Sequence, residues 1–153
     1  MRLKATIIQQ PAIRLITCKS RSFPDGNREA FNTIESRLDS LRGRKFYALV
    51  YGAADGLQYF AGLVPQSVEE ERWFTHHGFG IIEVEAGTWA QSKLDDWLSN
   101  TDQIGSMFDS MIAAYGHDPS RPQMEFYRSM TELHLLVPVS PGGAKSNRQE
   151  IRI

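Results

Sequence analysis

The chain contains an internal repeat, and two pairs of apolar segments define its interval. "IIQQPAIRL" (7–15) matches "IIEVEAGTW" (81–89) at a spacing of 74 residues, the difference between positions 7 and 81. "GLVPQ" (62–66) and "LLVPV" (135–139) are spaced by 73 residues, the difference between positions 62 and 135. Short apolar segments of this kind are typical of strands. The chain is therefore expected to hold two copies of one strand arrangement.

A helical pattern lies between the strands of each copy and follows the same interval. A shift of 74 residues places Ala30 on Ile104 and Ile34 on Phe108, which belong to the apolar face of each pattern. Because one offset aligns both the strands and the helix faces, each half is predicted to be a strand-helix-strand-strand unit.

The fold class follows from the helices. Each helix has a single apolar stripe and can cover only one face of a sheet. We therefore predict an α+β fold with antiparallel sheets and a pseudo-twofold axis, with helices on one side and a ligand groove on the other. The predicted single domain spans 1–139, with repeat one at 1–66, a linker at 67–78 and repeat two at 79–139. Residues 140–153 are predicted to form a flexible tail.

Local signals set the expected boundaries. The first helix is predicted from near Asp25 to Gly43, and the second from residue 100 or 101 to Gly116. Pro11 and Gly87 predict a bend or bulge inside two long first strands.

The linker is expected to form a short helix, because Ser67 and Glu70 have the spacing of a capping box. On this helix, Trp73 and Phe74 either fill the core or overhang the groove as a lid.

Composition and charge argue against several classes of function. The net charge of -1 provides no general attraction to nucleic acid or to an anionic membrane, and no segment has the length of a membrane span. Cys18 is the only cysteine, which favours a reducing cytoplasm. The adjacent His76 and His77 would point to opposite faces of a strand, and neither a cysteine nor a carboxylate cluster completes a metal site. No phosphate loop is present, so neither a metal nor a cofactor is predicted.

Glu125 is the leading candidate for a functional residue. In "MEFYRSMTELHLLVPV" the apolar set Met124, Phe126, Leu133, Leu135 and Val137 is predicted to face the helices. Glu125, Tyr127 and His134 would then lie on the groove face, where Glu125 is either a pocket residue or an ordinary surface charge.

The first hairpin provides the aromatic candidates. Both faces of "FYALVYG" are apolar, which favours a shielded second face. Matching Tyr51 to Tyr127 assigns Tyr47 and Tyr51 to the groove and sets Leu49 opposite Glu125. Phe60 or Tyr59, together with Trp89 and Trp73, completes the candidate set, and each aromatic could instead be a core residue.

The chain resembles the GyrI-like family, also called the bacterial effector-binding domain. The resemblance rests on "AGTWA" (86–90), Trp97, "AYG" (114–116), "PQMEFY" (122–127) and "LLVPV" (135–139). It implies a duplicated strand-helix-strand-strand fold whose groove takes apolar, often cationic, organic molecules. In that family a glutamate in this strand faces the ligand among aromatic side chains, and Glu125 matches its position. The resemblance also implies drug-sensing relatives fused to DNA-binding domains, a gyrase inhibitor, and hydrolases that open cyclopropane-bearing genotoxins.

Three functional hypotheses follow. The first is a free-standing cytoplasmic binding protein, monomer or homodimer, in which Glu125 pairs with an aromatic cation; it contacts neither nucleic acid nor a membrane. The second is a metal-independent hydrolase in which Glu125 is a general base, with Tyr127 or His134 polarising the leaving group. The third is a protein-interaction role such as gyrase inhibition. The binding hypothesis is preferred, because no motif fixes a second catalytic group.

Overall fold

The computed structural model describes residues 4–53 and 56–140, so the predicted tail beyond Ser140 lies outside the described residues. The elements in chain order are β1 (Thr6–Gln10), β2 (Ile13–Lys19), α1 (Asn27–Glu35), β3 (Phe46–Ala53), β4 (Gly56–Leu63), α2 (Val68–His76), β5 (Gly80–Val84), β6 (Gly87–Asp95), α3 (Ile104–Tyr115), β7 (Gln123–Tyr127) and β8 (Glu132–Pro138). Two 3₁₀ turns, Trp97–Ser99 and Thr101–Gln103, precede α3. No helix within the described ranges is long and apolar enough to cross a membrane.

The strands form one curled antiparallel sheet in the order β1-β6-β8-β7-β3-β4-β2-β5. The α+β fold class and the duplication are confirmed. The order is symmetric about the contact between β3 and β7: the four strands on one side of this contact mirror the four strands on the other side. The first strand of each repeat crosses over, because β1 pairs with β6 of the second repeat and β5 pairs with β2 of the first.

The strand register confirms the 74-residue interval. Thr6 pairs with Gln91, and a shift of 74 converts this pair into Gly80 with Thr17, which are also paired. The interval extends to the last strands, because Ile16 pairs with Leu63 and Ala90 pairs with Val137. The 73-residue spacing of "GLVPQ" and "LLVPV" is therefore wrong by one position.

The two central strands follow a different offset. Ala48 pairs with Glu125, and Phe46 pairs with Tyr127. The pseudo-twofold therefore relates Ala48 to Glu125 and Val50 to Tyr127, at an offset of 77, the difference between positions 48 and 125. The predicted match of Tyr51 to Tyr127 is wrong, and so is the placement of Leu49 opposite Glu125.

The helices follow the same offset, because α1 begins at Asn27 and α3 at Ile104, positions that differ by 77. The predicted match of Ala30 with Ile104 and of Ile34 with Phe108 is therefore wrong, and the buried Ile34 corresponds to the buried Met111.

All three helices pack on one face of the sheet. Ala30 and Ile34 of α1 pack with Phe74 of α2, while Phe108 and Met111 of α3 cover β6 and β8. The prediction that the first helix reaches Gly43 is wrong: α1 ends at Glu35, and Gly43 adopts φ 72° in the following loop. The predicted C-terminus at Gly116 is confirmed, with φ 80° at that residue.

The linker helix resolves the alternatives for its two aromatic residues. Ser67 caps α2 by accepting a hydrogen bond from the Glu70 amide at 3.0 Å, as the capping box predicts. Phe74 is buried in the core, whereas Trp73 is exposed and stacks on His77 at 3.9 Å between ring centroids. Trp73 is therefore a surface residue of α2.

The prediction of two long first strands with an internal bend is wrong: the chain breaks between β1 and β2 at Pro11, and between β5 and β6 just before Gly87. A Cβ at Gly87 would lie 2.4 Å from Nη1 of Arg121, so a larger residue at this position would have to displace that guanidinium group. The buried Arg121 joins the ends of several elements through Asp118 Oδ2, the carbonyls of Thr88 and Val139, and the ring of Trp89.

Candidate functional site

The candidate site lies on the helix-covered face of the sheet. Glu125 pairs with Ala48 on one side and Leu135 on the other, and directly paired residues of antiparallel strands point to the same face. Leu135 packs in the cluster beneath α3. The assignment of Glu125 and Tyr127 to the helix-free face is therefore wrong. The register of the last hairpin places Glu125 on the face of Leu133 and Leu135, whereas Met124 lies on the opposite face with Leu136.

Two phenols bind the same carboxylate oxygen. Tyr127 donates a hydrogen bond to Oε1 of Glu125 at 2.6 Å, and Tyr59 donates to the same atom at 3.1 Å. The two phenol oxygens are 3.2 Å apart. Each phenol has one proton, so when both donate to an ionised Glu125 the contact between the phenols is not itself a hydrogen bond. The three groups form a compact triad that joins β4 and β7 across β3.

Aromatic rings enclose this triad. Phe31 of α1 packs edge-on against Tyr127, with 5.2 Å between ring centroids, and against Tyr59 at 6.3 Å. Trp97, in the first 3₁₀ turn, packs edge-on against Tyr127 at 5.0 Å. Phe23 lies 5.8 Å from Tyr59 on the other side and is partly exposed. A surface cleft of about 170 Å³ borders Phe23 and Tyr59.

The electrostatics of the triad are those of a carboxylate without a counter-ion. Glu125 is 6% exposed, and burial raises its pKa even though the hydrogen bonds from Tyr127 and Tyr59 oppose the shift. Burial and the nearby carboxylate also raise the pKa of Tyr127 and of Tyr59. Among the described residues, the ion pairs of the chain all lie elsewhere. A cation placed here would offset a desolvation cost that the folded protein otherwise bears.

Several predicted site residues lie on the opposite, helix-free face. Tyr47 stacks on Phe126 with 4.7 Å between centroids, and Tyr51 packs edge-on against Phe60 at 5.7 Å. Trp89 is fully buried in the same apolar cluster. The structure therefore separates these residues from Glu125. A cleft of about 340 Å³ on this face is lined in part by Tyr47 and Val64.

His134 also faces away from Glu125. It pairs with Phe126 across the hairpin, and its Nε2 lies in hydrogen-bond contact with the carboxyl group of Glu132. Glu125 pairs with Leu135, one residue further along, so the imidazole lies on the other side of the sheet. The suggestion that His134 assists chemistry at Glu125 is therefore wrong.

The sequence interpretation left Phe31 and Phe23 out of the candidate set and named Tyr59 only as an alternative to Phe60. The pairing of Ala48 with Ala61 puts odd-numbered residues of β4 on the helix-covered face, and this selects Tyr59 over Phe60. Trp97 could have been identified from the sequence, because it belongs to the motif that carries the family resemblance.

No protein-family model and no curated protein matches the chain. Solved structures do match. An integron cassette protein from the mobile metagenome of Vibrio cholerae has a TM-score of 0.62 at 9% identity, over 89% of this chain and 95% of the other. The protein SAV2435, solved with tetraphenylphosphonium bound, has a TM-score of 0.63 at 11% identity, over 91% of this chain and 95% of the other.

A third similar structure is the C-terminal domain of EcmrR, with a TM-score of 0.59 at 12% identity over 92% of this chain and 99% of the other. These likenesses cover nearly the full length of both chains, and at such low identity they concern the fold. They agree with the duplicated sheet and the one-sided helices described above. The chain has the GyrI-like effector-binding fold.

Proposed function

We propose that the protein binds apolar, aromatic organic cations, with Glu125 as the counter-ion. The observation that carries this proposal is the buried carboxylate, which has two phenol donors on one oxygen and no cationic partner among the described residues. Desolvation of a carboxylate costs several kcal/mol unless a partner is present. A cationic guest supplies that partner.

The rings around Glu125 suit the apolar part of such a ligand. Tyr59 and Tyr127 contact the carboxylate directly, and Phe31 and Trp97 pack against these two rings. A cation over an aromatic face gains about 0.5–2 kcal/mol per contact. The bound tetraphenylphosphonium in SAV2435, which shares the fold, is an aromatic cation of this class and supports the choice of ligand.

The test compares two ligands of similar shape and different charge. Methyltriphenylphosphonium is a cation and triphenylphosphine oxide is neutral. Glu125→Gln keeps the shape and the acceptor oxygen while removing the charge. Binding of the cation should weaken by about 1.5–3 kcal/mol, the range for a contact with a charged group, which is roughly ten- to hundred-fold. The neutral ligand should bind equally well or slightly better.

The matched control is Glu83→Gln, which removes an exposed carboxylate from the edge strand β5. It should leave both affinities unchanged. Calorimetric titration that finds equal cation affinity in Glu125→Gln and the parent protein contradicts the proposal. Equal weakening of both ligands indicates a damaged fold, which also contradicts it.

Hydrolysis is a second candidate function, favoured by the raised pKa of Glu125. A carboxylate with a raised pKa is a better general base near neutral pH, and a hydrolase from Listeria innocua shares the fold with a TM-score of 0.56 at 14% identity, over 91% of this chain and 93% of the other. A cyclopropane-bearing electrophile separates the two functions. A binding protein takes up at most one equivalent of unchanged compound, whereas a hydrolase releases many equivalents of water-added, ring-opened product, and Glu125→Gln abolishes that turnover.

A further inference from the structure

The cleft of about 340 Å³ on the helix-free face has no part in the proposed function, because Glu125 lies on the other face of the sheet. This helix-free cleft is found where β2 and β3 begin and β4 ends, and its apolar lining consists of Ile13, Tyr47, Val64 and Pro65. Clefts that take small organic molecules have volumes of about 300–1,000 Å³. The cleft therefore has room for a small, largely apolar ligand.

One uncompensated charge, the ammonium group of Lys45, lies at this cleft. The carbonyl of Lys45 accepts a hydrogen bond from the Val64 amide at 3.0 Å, so the residue continues the ladder of β3 and shares a face with Tyr47. Lys45 forms no ion pair within residues 4–53 and 56–140. The other charged residue of the lining, Arg14, donates two hydrogen bonds to Glu71 of α2, at 2.7 and 2.8 Å, so its charge is already compensated.

The hydroxyl group of Tyr47 is a second donor without an acceptor. The side chain is only 8% exposed, and its ring is held by stacking on Phe126 with 4.7 Å between centroids. Its hydroxyl group makes no hydrogen bond to any part of the chain that the structure describes, and burial raises the pKa of the phenol, so it stays protonated. A buried donor that lacks a partner is unfavourable, and a ligand with an acceptor oxygen would satisfy it.

We infer that the helix-free cleft binds a small apolar carboxylate, whose oxygens accept hydrogen bonds from the Lys45 ammonium and the Tyr47 hydroxyl. One cation and one neutral donor match a group with a single negative charge and two acceptor oxygens. The apolar part of the ligand would pack on Ile13 and Val64. This second site goes beyond the proposed function and does not depend on it, because it takes a ligand of opposite charge on the opposite face of the sheet.

The test titrates the protein with cinnamate, an aromatic carboxylate, and with cinnamamide, a neutral molecule of the same shape. Lys45→Met removes the charge and keeps most of the apolar stem, while Tyr47→Phe removes the hydroxyl and keeps the ring. The matched control is Lys19→Met, at an exposed lysine that lines the other cleft, beside Phe23. Thermal melting monitors the fold, and all three variants should melt at the temperature of the parent protein, because none removes a hydrogen bond or ion pair of these side chains.

Cinnamate affinity, measured by calorimetry, should fall by about threefold or more in each single variant of the cleft, and by about tenfold or more in the double variant. Cinnamamide should bind the parent protein more weakly than cinnamate does, and Lys45→Met should not change its affinity. Lys19→Met should bind cinnamate as the parent does. Absence of saturable cinnamate binding by the parent overturns the inference. An equal loss in Lys19→Met, or an equal loss of both ligands in Lys45→Met, overturns it as well.

Tetraphenylphosphonium distinguishes this inference from the proposed function. The double variant should bind this cation as tightly as the parent protein does, because both substitutions lie on the face opposite Glu125. If the parent binds cinnamate as expected and binds no organic cation, the proposed function fails and the carboxylate site stands. If the double variant loses both ligands equally, the two sites are not separate and the inference is wrong.

Discussion

Tyr127 and Glu125 lie two residues apart on one strand, and their side chains form a 2.6 Å hydrogen bond on the helix-covered face. A residue spacing of two keeps both side chains on the same face of a strand, so the local sequence alone brings the donor to the acceptor. Tyr59 lies on β4, two strands away from β7, and its hydroxyl group completes the triad. The carboxylate is thus held in place by phenols, which leave its negative charge without a compensating positive charge.

The first prediction concerns the stability cost of Glu125. Because burial raises its pKa in the folded state, ionisation destabilises the fold. Glu125→Gln should raise the free energy of unfolding at neutral pH by about 0.5–2 kcal/mol, the range of single stabilising substitutions. The cost is absent where Glu125 is protonated in both states, below the ordinary glutamate pKa of about 4.3. It grows as the pH rises through the raised folded pKa.

Chemical denaturation of both proteins from acid to neutral pH measures this difference. The advantage of Glu125→Gln should shrink towards zero as the pH approaches 4. An advantage that stays constant over this range would mean that the substitution acts through packing, and a lower stability at neutral pH would contradict the prediction.

The second prediction concerns ligand binding and pH. A permanently charged cation binds the ionised form of Glu125, so its affinity should fall as the pH drops through the raised pKa of the empty site. Affinity of the same cation for Glu125→Gln should show no such step. Fluorescence or calorimetric titration at a series of pH values gives both profiles, and identical profiles would remove Glu125 from the binding site.

The third prediction separates the phenol from its ring. Tyr127→Phe keeps the ring packing on Phe31 and Trp97 but removes the shorter hydrogen bond to Glu125. This bond stabilises the ionised carboxylate, so its loss should raise the pKa of Glu125 further. We expect a cost of about 1.5–3 kcal/mol in unfolding free energy at neutral pH and a shift of the binding profile to higher pH.

A suitable control is Tyr115→Phe, because Tyr115 packs beside the α3 core and its hydroxyl makes no hydrogen bond within the described part of the chain. This variant should leave stability and the binding profile unchanged. If Tyr127→Phe behaves like Tyr115→Phe, the phenol does not support the carboxylate.

The fourth prediction concerns Arg121 and Gly87. Arg121→Met removes a guanidinium that contacts Asp118 and two backbone carbonyls, at an expected cost of about 1.5–3 kcal/mol. Gly87→Ala should destabilise the parent protein, because its Cβ would displace Nη1 of Arg121. In the Arg121→Met background, Gly87→Ala should cost much less, with a coupling of about 0.5–3 kcal/mol. Additive effects in a double-mutant cycle would show that the two residues do not compete for this space.

Much of the fold was accessible from the sequence because the repeat interval acts on several elements at once. Strands β1, β2, β5 and β6 follow the 74-residue shift, and α1 and α3 follow a similar shift of 77, the difference between positions 27 and 104. The end of the second helix was predictable because Gly116 takes a positive φ that favours glycine. The early end of α1 was not, since Leu38 and Leu41 continue the apolar spacing after the helix has ended.

The site was predicted in its central residue but not in its surroundings. Glu125 stood out because a carboxylate between apolar neighbours is unusual. Alternation could not assign its face, because both faces of β7 are buried: Met124 and Phe126 pack in one apolar cluster, while Glu125 and Tyr127 lie under the helices. The register across the last hairpin determines which face each residue occupies, because a shift of one residue moves every side chain to the opposite face.

The exchange of first strands between the repeats has a consequence for how the chain folds and how it arose. β1 completes the sheet of the second repeat and β5 completes that of the first, so neither half can satisfy its own strand edges. A single repeat expressed alone would have to borrow this strand from another molecule, as in a domain-swapped dimer. The duplicated chain contains both β1 and β5, so the strand exchange that would need two molecules takes place within one molecule and does not depend on concentration. Within one chain the two equivalent central positions can differ, as Glu125 and Ala48 do.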